Sequence, residues 1–183
     1  SVLDLSDAKI VEGGDYYYIY HSYYSTSNDK IGDYTFHGCS VLTSLTLPSG
    51  VTSIGNGAFA ACSGLTSITL PSSATEIGWG AFQDCSGLTS ITLPSGVTSI
   101  GNLTFAACSG LTSLTLPSGV TSIGDMTFYA CSGLTSITLP SGLTEIGDDA
   151  FQYCSGLTSI YVYTEKLPKM GSSVFGDCDA KKC

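Results

Sequence analysis

Eight cysteines, two histidines and a few adjacent carboxylates are the side chains of this 183-residue chain best suited to chemistry. Thiols can pair as disulfides, bind metals as thiolates or act as nucleophiles, and spacing separates these roles. Seven of the cysteines fall at 39, 62, 85, 108, 131, 154 and 178, five steps of 23 residues and one of 24. Coils stacked at a strand spacing of about 4.8 Å would not forbid bonds between neighbours. An odd-numbered column nevertheless leaves one thiol over, and free cysteine is among the most buried residue types. The spacing therefore predicts a buried ladder of thiols, with stacked disulfides as the alternative. Cys178 and Cys183, outside the regular step, are a possible disulfide pair. With no CxxC and no Cys/His cluster, metal ligation is not expected.

The histidines are His21 and His37, and neither lies in a nucleophile motif. Serines recur with the repeat, which marks them as structural. Asp148-Asp149 stands where other units carry Asn56-Gly57 or Trp79-Gly80, so a solvated turn is favoured over acid–base work. Asp125, Asp148 and Asp149 could offer oxygens to Ca²⁺, but no EF-hand or nonapeptide spacing supports a site. No catalytic residue, no cofactor and no metal is expected, and the chain reads as a non-enzyme.

Composition narrows the partners. Fifteen acidic residues face six basic ones, all lysine, for a net charge of −9. A chain without arginine and with this balance is a poor ligand for nucleic acid or for an anionic membrane surface. Charged residues make up only 11% of the chain while 43% is hydrophobic, so the polar surface must be neutral and rich in hydroxyls, and disorder is excluded. No stretch approaches the roughly 20 apolar residues of a membrane-spanning helix. Ser1 to Asp7 lack the basic and apolar regions of a signal peptide.

What positions these side chains is an internal repeat. All seven phenylalanines, Phe36, Phe59, Phe82, Phe105, Phe128, Phe151 and Phe175, sit three residues before a column cysteine. One unit reads CSGLTSITLPSSATEIGWGAFQD from Cys62. Leu65 to Leu70 has the β-branched content and terminal alternation of a strand, with Ile68 and Leu70 inward and Ser67 and Thr69 outward. Pro71 cannot donate to a ladder and ends the strand. A second short extended piece, such as Val51 to Ile54, runs into a recurrent glycine: Gly32, Gly55, Gly78, Gly101, Gly124, Gly147 or Gly171. Either a positive φ or a close approach between coils would require that glycine. The remaining six residues before each cysteine suit a single helical turn. A lone unit of this size cannot fold, so neighbours must stack.

The pattern C-S-G-L-T-S-I-T-L-P-S-G-V-T-S-I-G-x-x-A-F-x-x, running almost without gaps from 39 to 177, resembles the BspA-like leucine-rich repeats of bacterial surface proteins. The resemblance implies a right-handed leucine-rich-repeat solenoid, a horseshoe that is mainly β with short helical turns on its convex side. One domain over 1–183 is expected: a partial first repeat at 1–38, five 23-residue repeats at 39–153, and a last repeat with a truncated C-terminal end at 154–183. Leu3 to Ala8 looks like the strand half of the first unit, but Leu5 to Ile31 is 26 steps where Leu70 to Ile77 is 7. That unit therefore carries a Tyr-rich insertion around Tyr16 to Tyr24. Both ends look cut from a longer protein.

Three surfaces are candidates for binding. Outward strand residues form the concave face: Ser44 and Thr46, Ser67 and Thr69, Ser90 and Thr92, Ser113 and Thr115, Ser136 and Thr138, then Ser159 and Tyr161. Its monotony favours a solvated β-face, since binding hot spots are poor in Ser and Thr. Variation gathers instead in the return segment, at Trp79, Leu103, Met126, Tyr129 and Tyr153, and large apolar side chains where other units are expected to carry Gly or Ala suggest a surface patch rather than core. The insertion offers Tyr18, Tyr20, Tyr23 and Tyr24, as a cap over the first coil or as a binding loop. The resemblance implies a cell-surface or secreted adhesion module for a matrix or surface protein, and proteins of this family have been associated with fibronectin and fibrinogen. The alternatives are a structural spacer within a larger surface protein and a carbohydrate-binding module. Ice binding by the Ser-x-Thr columns is disfavoured, because leucine-rich coils curve.

Overall fold

The computed structural model describes residues 2–4, 17–19, 22–24, 29–163 and 166–178. The repeat folds as expected into a solenoid of parallel strands, each coil contributing a first strand and a shorter second strand. First strands include Val2–Asp4, Ser44–Thr46, Ser67–Thr69, Ser113–Thr115, Ser136–Leu139 and Ser159–Val162. Their register joins equivalent residues, so Leu3 lies opposite Leu45 and Leu45 opposite Ile68. Val2–Asp4 thus supplies the strand half predicted for the first unit. Second strands are Lys30–Ile31, Ser53–Ile54, Glu76–Ile77, Ser99–Ile100, Ser122–Ile123, Glu145–Ile146 and Lys169–Met170. Within Ser67–Thr69 only the middle residue is buried, as alternation across a half-buried strand demands.

One continuous core runs from Ile31 to Cys178. Its spine is the phenylalanine column, whose rings stack with centroids 5.0 to 5.6 Å apart and planes within 18° of parallel. Phe59, Phe82, Phe105, Phe128 and Phe151 are fully buried. Beside them, each thiol from Cys62 onward donates to the carbonyl of the phenylalanine one coil back, as in Cys85 Sγ to Phe59 O at 3.1 Å. Burial pushes the thiols of Cys62, Cys85, Cys108, Cys131 and Cys154 up, Cys62 to about 11 and Cys131 to about 12. Cys39, at the edge of the column, is half-buried. The thiol ladder is therefore a polar seam satisfied by backbone oxygen inside an apolar core. Cys183, and with it any bond to Cys178, lies outside the described residues.

The return segment differs from the expected helical turn. Among the described residues there is no helix; each return is a chain of tight turns. Ala58, Ala60 and Cys62 donate to the carbonyls of Gly55, Gly57 and Phe59 in their own coil. The intervening amides of Gly57, Phe59 and Ala61 donate to Trp79, Ala81 and Gln83 in the next coil, each at 2.8 Å. A helical turn would direct every amide along its own axis. Here half of them must bond the neighbouring coil, and the alternation precludes a helix. These return bonds point forward along the solenoid, whereas the bonds at the strand corners, such as Gly55 N–H to Ile31 O and Thr66 N–H to Thr43 O, point back.

The corner glycines Gly55, Gly78, Gly124, Gly147 and Gly171 are required by close approach rather than by positive φ. A Cβ on Gly55 would lie 2.6 Å from the Asp33 nitrogen, and one on Gly78 2.7 Å from that of Asn56. A second column escaped the sequence reading. Gly64, Gly87, Gly110, Gly133 and Gly156 each face the carbonyl oxygen of a serine in the preceding coil, and a Cβ on Gly110 would lie 2.5 Å from Ser86 O. Val41 takes this place in its own unit and is exposed.

Candidate functional site

Each return segment holds two residues in the left-handed region. The first column is Tyr34, Gly57, Gly80, Leu103, Met126, Asp149 and Ser173; the second is Gly38, Ala61, Asp84, Ala107, Ala130, Tyr153 and Asp177. Glycine adopts this conformation without strain, while a side chain there costs on the order of 1–2 kcal/mol. Met126, at φ 51°, and Tyr153, at φ 61°, thus occupy strained positions and hold their side chains out, 37% and 45% exposed. Leu103 shares the column of Met126 on the adjacent coil but is half-buried. The Tyr129 ring meets Tyr153 edge-on at 5.2 Å and 83°. Tyr129 is itself half-buried, so Tyr153 presents more of the pair to solvent.

Of the predicted return patch, then, the structure brings Tyr129 to Tyr153 and aligns Leu103 with Met126. Trp79 belongs elsewhere. It is 44% exposed and stands in the column immediately after the corner glycine, otherwise filled by Asp33, Asn56, Asn102, Asp125, Asp148 and Ser172. In that column the side-chain oxygen of one coil accepts the backbone N–H of the next. Asn56 N–H donates to Asp33 Oδ1 at 2.7 Å, Trp79 N–H to Asn56 Oδ1 at 2.9 Å, Asp125 N–H to Asn102 Oδ1 at 3.0 Å and Asp148 N–H to Asp125 Oδ1 at 2.9 Å. This ladder was missed in the sequence, although Asn or Asp after five of the seven glycines was there to be read. It also gives Asp125 and Asp148 a structural task. No group of three or more His, Cys, Asp or Glu among the described residues is placed to hold a metal.

The concave face separates two kinds of hydroxyl. Thr66, Thr89, Thr112, Thr135 and Thr158 each turn Oγ1 to the carbonyl of the equivalent threonine one coil back, at 2.9 to 3.5 Å. The outward Ser67, Thr69, Ser90, Thr92, Ser113 and Thr115 are exposed, and Ser136 and Thr138 half-buried. Their hydroxyls make no such coil-to-coil bond. Tyr161, 52% exposed, closes the threonine column beside Thr138. From Ser44 to Tyr161 these outward positions carry no charge.

In the insertion, Tyr17–Ile19 and Ser22–Tyr24 pair as antiparallel strands, with Tyr18 opposite Tyr23 and Tyr17 opposite Tyr24. Tyr16, Tyr20 and His21 lie outside the described residues. His37 meets the ring of Tyr34 edge-on at 5.9 Å.

The family model for the BspA type leucine rich repeat region matches in six copies over residues 19–109 and 75–183. A leucine-rich repeat protein of Treponema pallidum is similar over 78% of this chain and 66% of its own, at 36% identity and a TM-score of 0.75. A leucine-rich cell surface protein of Faecalibacterium prausnitzii is similar over 91% of this chain and 48% of its own, at 32% identity and a TM-score of 0.62. The chain thus spans about two thirds of one and half of the other. No curated protein matches it. Repeat, ladder and neighbours agree: the chain belongs to the BspA-type leucine-rich repeat family.

Proposed function

We propose that the chain is a non-catalytic protein-binding module of a bacterial surface or secreted protein, and that its contact surface is the return-turn patch around Met126 and Tyr153. The observation that carries this reading is the placement of large side chains at left-handed positions. Gly57 and Gly80 occupy the column of Met126, and Gly38 that of Tyr153. Strain kept at an exposed site, with nothing of the core to gain from it, points to a use outside the fold. Tyrosine and its neighbours supply contact area at low entropic cost, and the cell-surface description of the F. prausnitzii protein supports the setting.

The test is binding of the 183-residue chain to immobilised fibronectin and fibrinogen, comparing wild type with Met126→Gly/Tyr153→Gly. Saturable binding is expected, weakened more than about 30-fold in the double variant, as for loss of a hot spot. Because both substitutions relieve left-handed strain, Tm should hold or rise. Unchanged affinity in the double variant would remove the patch.

A second reading rests on the concave face. Its charge-free rows of open hydroxyls, closed by Tyr161, suit a neutral polysaccharide, which a glycan array tests directly. Loss of glycan binding in Tyr161→Ala, with matrix-protein binding intact, would assign the two faces to different ligands.

A further inference from the structure

The column of second strands is interrupted near the middle of the solenoid. Second strands pair from Lys30–Ile31 to Glu76–Ile77 and again from Ser99–Ile100 to Lys169–Met170, but Glu76–Ile77 does not pair with Ser99–Ile100. The corner amides report the same gap. Gly55, Gly78, Gly124, Gly147 and Gly171 each donate to an isoleucine carbonyl one coil back at 2.7 to 2.8 Å, while Gly101 makes no such bond to Ile77. Thr75, Thr121 and Thr144 bond back at 2.8 to 2.9 Å, and Thr98 does not. Room has opened at the corner: a Cβ on Gly101 would find its nearest atom at 3.5 Å, in place of the overlaps at Gly55 and Gly78. On the first-strand side this boundary stays joined, by the Thr69 to Thr92 bridge and by Thr89 N–H donating to Thr66 O at 3.3 Å.

The sequence of the preceding coil accounts for this. Trp79 replaces the Asn or Asp that would accept the Asn102 amide, so the side-chain ladder stops there. Ala74 stands where Val51, Val97 and Val120 fill the equivalent core position. Ser73 replaces the glycine of the other corners, and its one hydroxyl hydrogen has two acceptors in reach, Ser49 O at 2.7 Å and Val51 O at 2.6 Å, binding its coil to the one before. The return side stays closed across the same boundary. Gly80, Phe82 and Asp84 donate to Asn102, Thr104 and Ala106 at 2.8 to 3.0 Å, and the Phe82 and Phe105 rings stack at 5.5 Å. A boundary bonded along the return and first-strand sides and parted at the second-strand corner has the form of a hinge.

We propose that the seam between Glu76–Ile77 and Ser99–Ile100 is a hinge set by Trp79, at which the solenoid opens first while the return and first-strand sides stay joined. Main-chain groups without a cross-coil partner exchange with solvent at low opening cost. Amide hydrogen exchange, read residue by residue by NMR on the full chain, tests this. The amides of Thr98, Gly101 and Asn102 should exchange more than about tenfold faster than those of Thr121, Gly124 and Asp125 one coil on. Trp79→Asn restores the acceptor and should slow the three by about tenfold, whereas Trp79→Ala should leave them fast. Equal protection of the two sets in wild type overturns the hinge. Equal rates in the Asn and Ala variants overturn the role given to Trp79.

Discussion

The strand side and the return side of each coil are built from the same backbone, yet they tolerate change differently. On the strand side the outward residues barely vary from coil to coil, and inward positions are held by leucine, isoleucine and glycine. On the return side Leu103, Met126 and Tyr153 replace smaller or polar residues within a few positions of the invariant phenylalanine. The difference lies in where neighbouring coils touch. At the strand corners main chain meets main chain, leaving no volume for a Cβ. The left-handed return positions aim their side chains outward, so the cost of change is local strain rather than overlap. Invariance at the glycine columns therefore marks contact between coils, and variation is tolerated where a side chain can leave the stack.

The largest effect should come from breaking the close side. Gly110→Ala drives a Cβ into Ser86 O and should destabilise by about 3 kcal/mol, whereas Gly101→Ala, at the open seam, should cost less than about 1 kcal/mol. Equal losses in urea unfolding would show that the two corners are packed alike. A middling effect is expected from the thiols. Unfolded thiols ionise near their ordinary value of 9.0 while folded Cys62 and Cys131 stay protonated to about 11 and 12. Stability contributed by these raised groups is thus intact below pH 9 and falls as pH rises from there towards 12. Unfolding midpoints measured between pH 7 and 11 should show that decline, and a profile flat to pH 11 would contradict it. The smallest effect separates the two hydroxyl sets. Thr66→Val removes a bond to Thr43 O and should cost about 0.5–1 kcal/mol, while Ser67→Ala should be neutral within about 0.5 kcal/mol.

Much of the fold was legible because its determinants are periodic and repeat as identical letters. Phenylalanine and cysteine columns fixed the coil, and Ile68 and Leu70 fixed the inward face. The asparagine–aspartate ladder was hidden because two residue types share one oxygen and therefore one job. The left-handed columns were hidden because Leu103, Met126 and Tyr153 stand where glycine would have signalled them. The helical turn was expected from segment length alone; the amides of Gly57, Phe59 and Ala61 bond across coils, which length cannot reveal. Trp79 read as a member of the variable patch, since an absent acceptor matters only once Asn102 is stacked beside it.

The opposed directions of the coil-to-coil bonds bear on how such a chain can grow. An α-helix sums its peptide dipoles and accumulates partial charge at its ends. Here the corner amides at Thr66 and Gly55 aim one way along the axis, and the return amides at Gly57, Phe59 and Ala61 aim the other. Their fields oppose within every coil. A further repeat thus adds core and surface with its two sets of bonds opposed, unlike a lengthening helix, whose peptide dipoles all add.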